Sequence, residues 1–165
     1  MSIRLAIFLA LSSVGILSGA GAATAQSNPL IGAWTVVSVG DVQPGKTTPL
    51  YGDKPEGLLI FDAQGRYSLQ LCASGRPKYA ANDRTKGTAE EYRANAVGCN
   101  PHWGRYALDE SKKVIVFKID HAMFRNWENT VQNRTYKIEN GTLQYAVPNP
   151  PVGGANPIVV WKRAE

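Results

Sequence analysis

The sequence predicts an all-β protein, an eight-stranded antiparallel up-and-down barrel with one short helix between the third and fourth strands. From Ile31 onward, short runs of β-branched and aromatic residues alternate with turn sequences. Within the runs, apolar and polar residues alternate with the period of two that is typical of a strand with one buried face. Because closing the sheet removes its exposed edges, a barrel is favoured, and a two-sheet sandwich is the competing architecture.

The N-terminal 25 residues are predicted to be a secretory signal peptide. Arg4 precedes an uncharged run at 5–17, and small residues lead to the sequence ATA at 23–25. Cleavage there leaves a barrel domain at 26–165. The apolar run is interrupted and falls short of the roughly 18 continuous apolar residues of a membrane span. We therefore expect a periplasmic or secreted protein without a membrane span after cleavage, and an uncleaved anchor is the alternative.

Charge and length narrow the class of protein. The formal net charge is +5, and because Arg4 is the only charged residue of the signal, the mature chain keeps +4. Basic residues are scattered apart from the pair at 112–113, so we expect no nucleic-acid partner. The length of the mature chain suits one domain, since domains commonly have about 100–150 residues.

The predicted elements follow in order along the chain. The strands cover residues 31–42, 57–61, 66–72, 102–109, 114–120, 130–138, 142–147 and 158–163. Turn sequences such as DAQG at 62–65 and ENG at 139–141 join neighbouring strands into hairpins. The segment 73–98 interrupts this pattern. Thr88, followed three residues later by Glu91, is a capping-box signature that predicts the helix at 89–97.

The two-residue alternation also predicts which side chains face the interior. The sixth strand places Gln132, Arg134 and Tyr136 on its bulkier and more apolar face. On the other strands the same reasoning turns inward a mostly apolar set that includes Tyr67, His102, Tyr106, His121 and Tyr145.

Arg134 is the most informative of these residues. A guanidinium among aromatic side chains is costly unless it is paired, and no acidic residue occupies the same face of its strand. Arg134 is therefore a candidate partner for an anionic ligand, and a position at the rim or a pairing with Asp83 or Glu91 is the alternative. The candidate ligand-binding residues are Arg134, Gln132, Tyr67, Tyr106, Tyr136, Tyr145 and Trp127.

Catalytic and metal-binding patterns are weak. His102 and His121 are the two histidines and the only candidates for acid–base chemistry, although both also suit structural roles. Cys72 and Cys99 are expected to form a disulfide in an oxidising compartment. The alternative is a zinc site that these cysteines would form with the two histidines. We expect neither a metal nor a cofactor.

Several motifs resemble the bacterial lipocalin-like domain family. They include GxW at 32–34, YGxxPxGLLIF at 51–61, GTxEEYR at 87–93, the NW pair at 126–127 and a closing VWxR at 160–163. The resemblance covers nearly all of the predicted mature chain and implies an eight-stranded up-and-down barrel with a ligand cup. It also implies that Trp34 plugs the closed end of the barrel while Arg163 lies across the indole ring.

Three functions remain open from the sequence. The first is an exported protein that binds a small, mostly apolar and carboxylate-bearing molecule inside the barrel, because ligand pockets are commonly lined by apolar and aromatic side chains. The second is an enzyme of cyclase or isomerase type that uses the same pocket. The third is an interaction or structural protein that has no ligand. The oligomeric state is left open.

Overall fold

The computed structural model describes residues 28–151 and 157–165. The predicted signal peptide lies outside the described residues. The described elements are β1 (Gly32–Gln43), β2 (Lys46–Pro49), β3 (Glu56–Phe61), β4 (Arg66–Cys72), α1 (Ala89–Val97), β5 (His102–Asp109), β6 (Val114–Ala122), a 3-10 helix (Arg125–Trp127), β7 (Thr130–Glu139), β8 (Thr142–Ala146) and β9 (Pro157–Arg163).

Eight of these strands form a closed barrel. The strands from β3 to β9 pair in sequence order, β1 pairs with β3 on one side and β9 on the other, and every pairing is antiparallel. The closing ladder runs from Trp34 opposite Arg163 to Asp41 opposite Pro157. The prediction of a closed eight-stranded barrel is confirmed, and this closure rules out the sandwich.

The predicted place of the helix, between the third and fourth strands, is wrong. Helix α1 follows β4, because the sequence interpreted as one long loop after the first strand contains the short strand β2. This strand pairs with the end of β1 through a tight turn at Gly45, whose φ of 74° suits glycine. The capping box itself is confirmed: the Glu91 amide donates to Thr88 Oγ1, and the Thr88 amide donates to a Glu91 carboxylate oxygen.

The closed end of the barrel is built around Trp34. Its indole Nε1 donates a hydrogen bond of 2.8 Å to the carbonyl oxygen of Leu30. The Arg163 guanidinium carbon lies 4.1 Å from the centre of the indole ring, and its terminal nitrogens donate to the carbonyls of Pro29 and Ile31. The side chain of Trp34 is fully buried, so the stack forms the floor of the barrel.

The alternation of inward and outward side chains holds along most of the barrel. On β7, Gln132, Arg134 and Tyr136 are buried and the residues between them are exposed, as predicted. On β6 the alternation fails near its end. A bulge places Gly104 opposite Ile119 and Trp103 opposite His121, which leaves Asp120 as an extra residue.

The prediction that His121 faces inward is therefore wrong. The extra residue reverses the alternation after Ile119, and the His121 side chain is 62% exposed on the outer wall. There its ring lies 4.8 Å from that of Trp103.

A disulfide joins Cys72, the last residue of β4, to Cys99 shortly before β5, as predicted. The two residues also form an isolated antiparallel bridge, and the neighbouring Ala73 amide donates to the Gly98 carbonyl. Both sulfur atoms are consumed by the disulfide, so the thiolates required by a zinc site are absent. The disulfide instead ties the base of the segment that carries α1.

Candidate ligand-binding site

The open end of the barrel contains a small cavity between the loops that join the strands. Its volume is about 30 Å³, which is room for one or two water molecules. Most of its lining is leucine, valine and proline. The polar groups come from Tyr51, Asn100, His102, Arg134 and Tyr145, and Trp127 adds an aromatic ring.

Arg134 is buried at the base of this cavity, with 1% of its surface exposed. Its Nε and Nη2 atoms donate hydrogen bonds to Gln132 Oε1 at 3.2 and 2.8 Å. The guanidinium carbon lies 4.5 Å from the ring centre of Phe117, 5.1 Å from that of Tyr145 and 5.5 Å from that of Trp127. Among the described residues, no carboxylate forms an ion pair with Arg134.

His102 shares the cavity and forms a buried pair with Tyr67. The Tyr67 hydroxyl oxygen and His102 Nδ1 are 2.8 Å apart. Burial, reinforced by the positive charge of Arg134, holds the pKa of His102 well below its usual value, while burial raises the pKa of Tyr67. The imidazole is therefore neutral at pH 7, and the phenol keeps its proton.

Two further polar groups line the cavity, the Tyr145 hydroxyl and the Asn100 side-chain amide. The Tyr145 hydroxyl is buried beside Arg134 and the indole of Trp161, and the Asn100 side chain lies beside the Tyr51 hydroxyl. Burial raises the pKa of Tyr145, so its hydroxyl is a neutral group that can donate or accept a hydrogen bond. Together with Arg134, the cavity combines one permanent cation with neutral hydrogen-bonding groups inside an apolar wall.

The structure brings most of the candidate ligand-binding residues together. Trp127, Arg134 and Tyr145 line the cavity, Gln132 binds Arg134 and Tyr67 binds His102.

Two of the candidates lie elsewhere. The Tyr106 hydroxyl donates to the Asp62 carbonyl and accepts from Asn28 Nδ2, which places it toward the closed end. Tyr136 is buried on β7, two residues further from the cavity than Arg134. Neither tyrosine lines the cavity.

Sequence reasoning missed Tyr51 and Asn100 as cavity residues. Both lie between strands, where no alternation indicates which side chains turn inward. Tyr51 begins the YGxxPxGLLIF motif and Asn100 follows Cys99, so the motif and the disulfide were the available signals. Burial raises the pKa of Tyr51 to about 12, which keeps its phenol neutral as well.

Two features are absent from the described residues, a cluster of metal-binding side chains and a membrane-spanning helix. No group of three or more His, Cys, Asp or Glu residues in 28–151 and 157–165 is arranged to hold a metal ion. In the same residues, no helix has the length and apolar character needed to cross a membrane.

Comparison with known proteins identifies the family. A search of curated proteins found no match to the chain. The sequence model of the lipocalin-like domain matches residues 31–164, which span every strand of the barrel as well as α1. The structure agrees with this match, because it has the closed eight-stranded barrel and the Trp34–Arg163 stack that the resemblance implied. The chain therefore belongs to the lipocalin-like domain family.

Proposed function

We propose that this protein is an exported binding protein whose barrel holds a small, mostly apolar molecule with its anionic group against Arg134. One observation carries the proposal. Arg134 is 1% exposed, its hydrogen-bond acceptor is the neutral amide oxygen of Gln132, and it has no ion pair among the described residues.

The energetics of a buried charge favour an anionic ligand. Removing an ion from water costs several kcal/mol even after the protein relaxes, and attraction to a nearby opposite charge offsets that cost. Aromatic rings and one amide oxygen supply part of the compensation. A carboxylate supplies a full opposite charge and can accept two parallel hydrogen bonds from a guanidinium.

The cavity geometry supports an orientation for the ligand. A volume of about 30 Å³ accommodates a carboxylate group but not a long apolar body. Leu50, Val147 and Pro150 line the same cavity toward the loops, so the apolar part of the ligand would lie among them. We propose that the anionic group enters first and that side chains at the mouth rearrange around the remainder.

Export rests on two kinds of support. The sequence at 1–25 has the pattern of a signal peptide. The Cys72–Cys99 disulfide is the second support, because such bonds persist mainly in oxidising compartments such as the periplasm or the extracellular space.

A second candidate function is proton transfer to or from a bound substrate. His102 is neutral, lines the cavity and is held by Tyr67 at Nδ1. In the tautomer whose Nδ1–H donates to the Tyr67 oxygen, Nε2 has the free lone pair that a base requires. A positioned neutral imidazole is a common general base. His121 has no part in this candidate, because it lies on the outer wall.

The test compares ligands that differ only in charge. Binding of carboxylates from butanoate to dodecanoate would be measured by isothermal titration calorimetry alongside the alcohols of equal chain length. Arg134→Leu should weaken the best carboxylate by at least about 30-fold, which corresponds to about 2 kcal/mol, and should leave the matched alcohol unchanged.

Tyrosine variants supply the matched control. Tyr145→Phe removes a hydroxyl from the cavity and should weaken the carboxylate, whereas Tyr106→Phe removes a buried hydroxyl near the closed end and should not. Equal binding of carboxylates by wild type and Arg134→Leu would refute the role of Arg134. Absence of binding across the whole series would favour the ligand-free interaction protein.

A further inference from the structure

We propose that the outer wall formed by β3 to β7 docks on the surface of an anionic lipid bilayer. The docking face has two parts. The cation row is Arg66, Arg105 and Lys118, and the apolar group is Trp103, Ile60 and Val131. This face lies outside the barrel, so this inference goes beyond ligand binding in the cavity and does not depend on it.

The cation row crosses three neighbouring strands. Arg66 on β4 lies directly opposite Arg105 on β5, and Arg105 lies directly opposite Lys118 on β6. All three side chains are exposed on the outer face. Like charges directly opposite one another destabilise a sheet. Repulsion among the three cations therefore destabilises the folded protein, and binding to an anionic surface would reduce that repulsion.

The ion pairs among the described residues include one member of the row. Arg66 pairs with Asp62 at 2.7 Å. In the described part of the chain, neither Arg105 nor Lys118 forms an ion pair. Asp120 is the other carboxylate beside the row, so the row and its two neighbouring carboxylates keep a net positive charge.

An apolar group borders the row. Trp103 lies two residues from Arg105 on the same face, and its side chain is 51% exposed. Ile60 on β3 and Val131 on β7 are also exposed, at 43% and 61%. Val131 lies directly opposite Lys118 and so extends the row. Tryptophan favours the interface between water and lipid, where its ring is buried and its N–H remains hydrated.

A depression beside Trp103 has the size of a lipid head group. Its volume is about 380 Å³, and Arg66, Arg105 and Ser68 contribute to its walls. A phosphodiester in this depression would lie near two guanidinium groups, which bind phosphate oxygens well.

A bilayer fits this face better than a second copy of the chain. In a symmetric dimer the same patch would face itself, so two cation rows would be brought together. An anionic membrane instead offers many mobile negative charges, and each Lys or Arg near such a surface strengthens binding by about fivefold. The apolar group can enter the interface while the row remains at the head groups.

The experiment is vesicle co-sedimentation with phosphatidylcholine vesicles that contain or lack phosphatidylglycerol. Wild type should bind the anionic vesicles more strongly. The double variant Arg105→Gln/Lys118→Gln should reduce partitioning by roughly 30-fold, about fivefold for each charge. The matched control, Lys137→Gln/Lys162→Gln, removes two exposed cations from β7 and β9. Its partitioning to the anionic vesicles should decrease much less than that of the double variant in the row.

Tryptophan fluorescence tests the orientation. Trp34, Trp127 and Trp161 are buried, so quenching by brominated lipid should report Trp103 and should disappear in Trp103→Phe. Arg134→Leu should bind vesicles like wild type, which separates this inference from the ligand proposal. Equal binding to neutral and anionic vesicles, no binding at all, or an equal loss in the control variant would overturn it.

Discussion

Gln132 and Arg134 lie two residues apart on β7 and form a buried polar pair inside the barrel. Gln132 Oε1 accepts hydrogen bonds from Arg134 Nε at 3.2 Å and from Nη2 at 2.8 Å. Because side chains two residues apart on a strand point to the same side, β7 supplies both the cation and its acceptor. The amide oxygen of Gln132 therefore compensates part of the positive charge that Arg134 buries.

The first prediction concerns the coupling of this pair. Gln132→Leu should lower the free energy of unfolding by about 2–3 kcal/mol, because the guanidinium loses its acceptor. Arg134→Leu should cost little or even stabilise the fold, because it removes a buried charge. In the Arg134→Leu background, Gln132→Leu should then cost less than about 1 kcal/mol. Urea unfolding of the four proteins measures the coupling, and an equal cost of Gln132→Leu in both backgrounds would contradict it.

The second prediction concerns the stack at the closed end. Trp34→Ala should cost roughly 3–5 kcal/mol, because the residue is fully buried and hydrogen-bonded to Leu30. Arg163→Ala should lower the free energy of unfolding by less, since it removes the guanidinium that covers the ring but leaves the indole buried. A double-mutant cycle measured by thermal or urea unfolding should show a coupling of about 0.5–2 kcal/mol. Strict additivity of the two changes would refute the stacking.

Much of the fold could be predicted because it depends on local patterns. The alternation on β7 correctly turned Arg134 inward, and the Thr88–Glu91 capping box located α1. The disulfide was also predictable, since the predicted exported chain contains two cysteines. The first two features follow from residue spacing within one element, and the disulfide follows from the number of cysteines.

The errors arose where pairing between strands decides the outcome. The bulge at Asp120 reverses the alternation, and it depends on the register of β6 against β5, which no local pattern reveals. Gly104 permits this register, because a Cβ there would lie 2.1 Å from the Lys118 carbonyl oxygen. Strand β2 is fully exposed, so its residues carry no hydrophobic alternation. Tyr51 and Asn100 reach the cavity from loops whose paths are set by the whole barrel.

The third prediction concerns the disulfide. Replacing Cys72 and Cys99 with alanine should lower the free energy of unfolding by about 3–4 kcal/mol on the chain-entropy model, because the bridge spans a sequence separation of 27 residues. Thiol labelling of the unfolded, unreduced wild type should modify no cysteine. Urea unfolding of the double alanine variant measures the cost. A stability equal to that of wild type would show that the bridge does not restrict the unfolded chain.

The last prediction concerns the pH dependence of stability. Burial and the charge of Arg134 lower the pKa of His102 in the folded protein, so the unfolded chain binds its proton at a higher pH than the native chain does. Below about pH 6.5 the unfolded state therefore holds more protons, and stability falls as the pH decreases. The slope should approach about 1.4 kcal/mol per pH unit between pH 6 and 5, above the range in which most carboxylates titrate.

Two variants isolate the contribution of His102 to this slope. His102→Gln should flatten the slope over that range, because it removes the group whose protonation differs between the two states. Arg134→Leu should reduce the slope, since one of the two causes of the low pKa is then removed. Urea unfolding at pH values from 7 to 5 supplies the measurement, and an unchanged slope in His102→Gln would place the titrating group elsewhere.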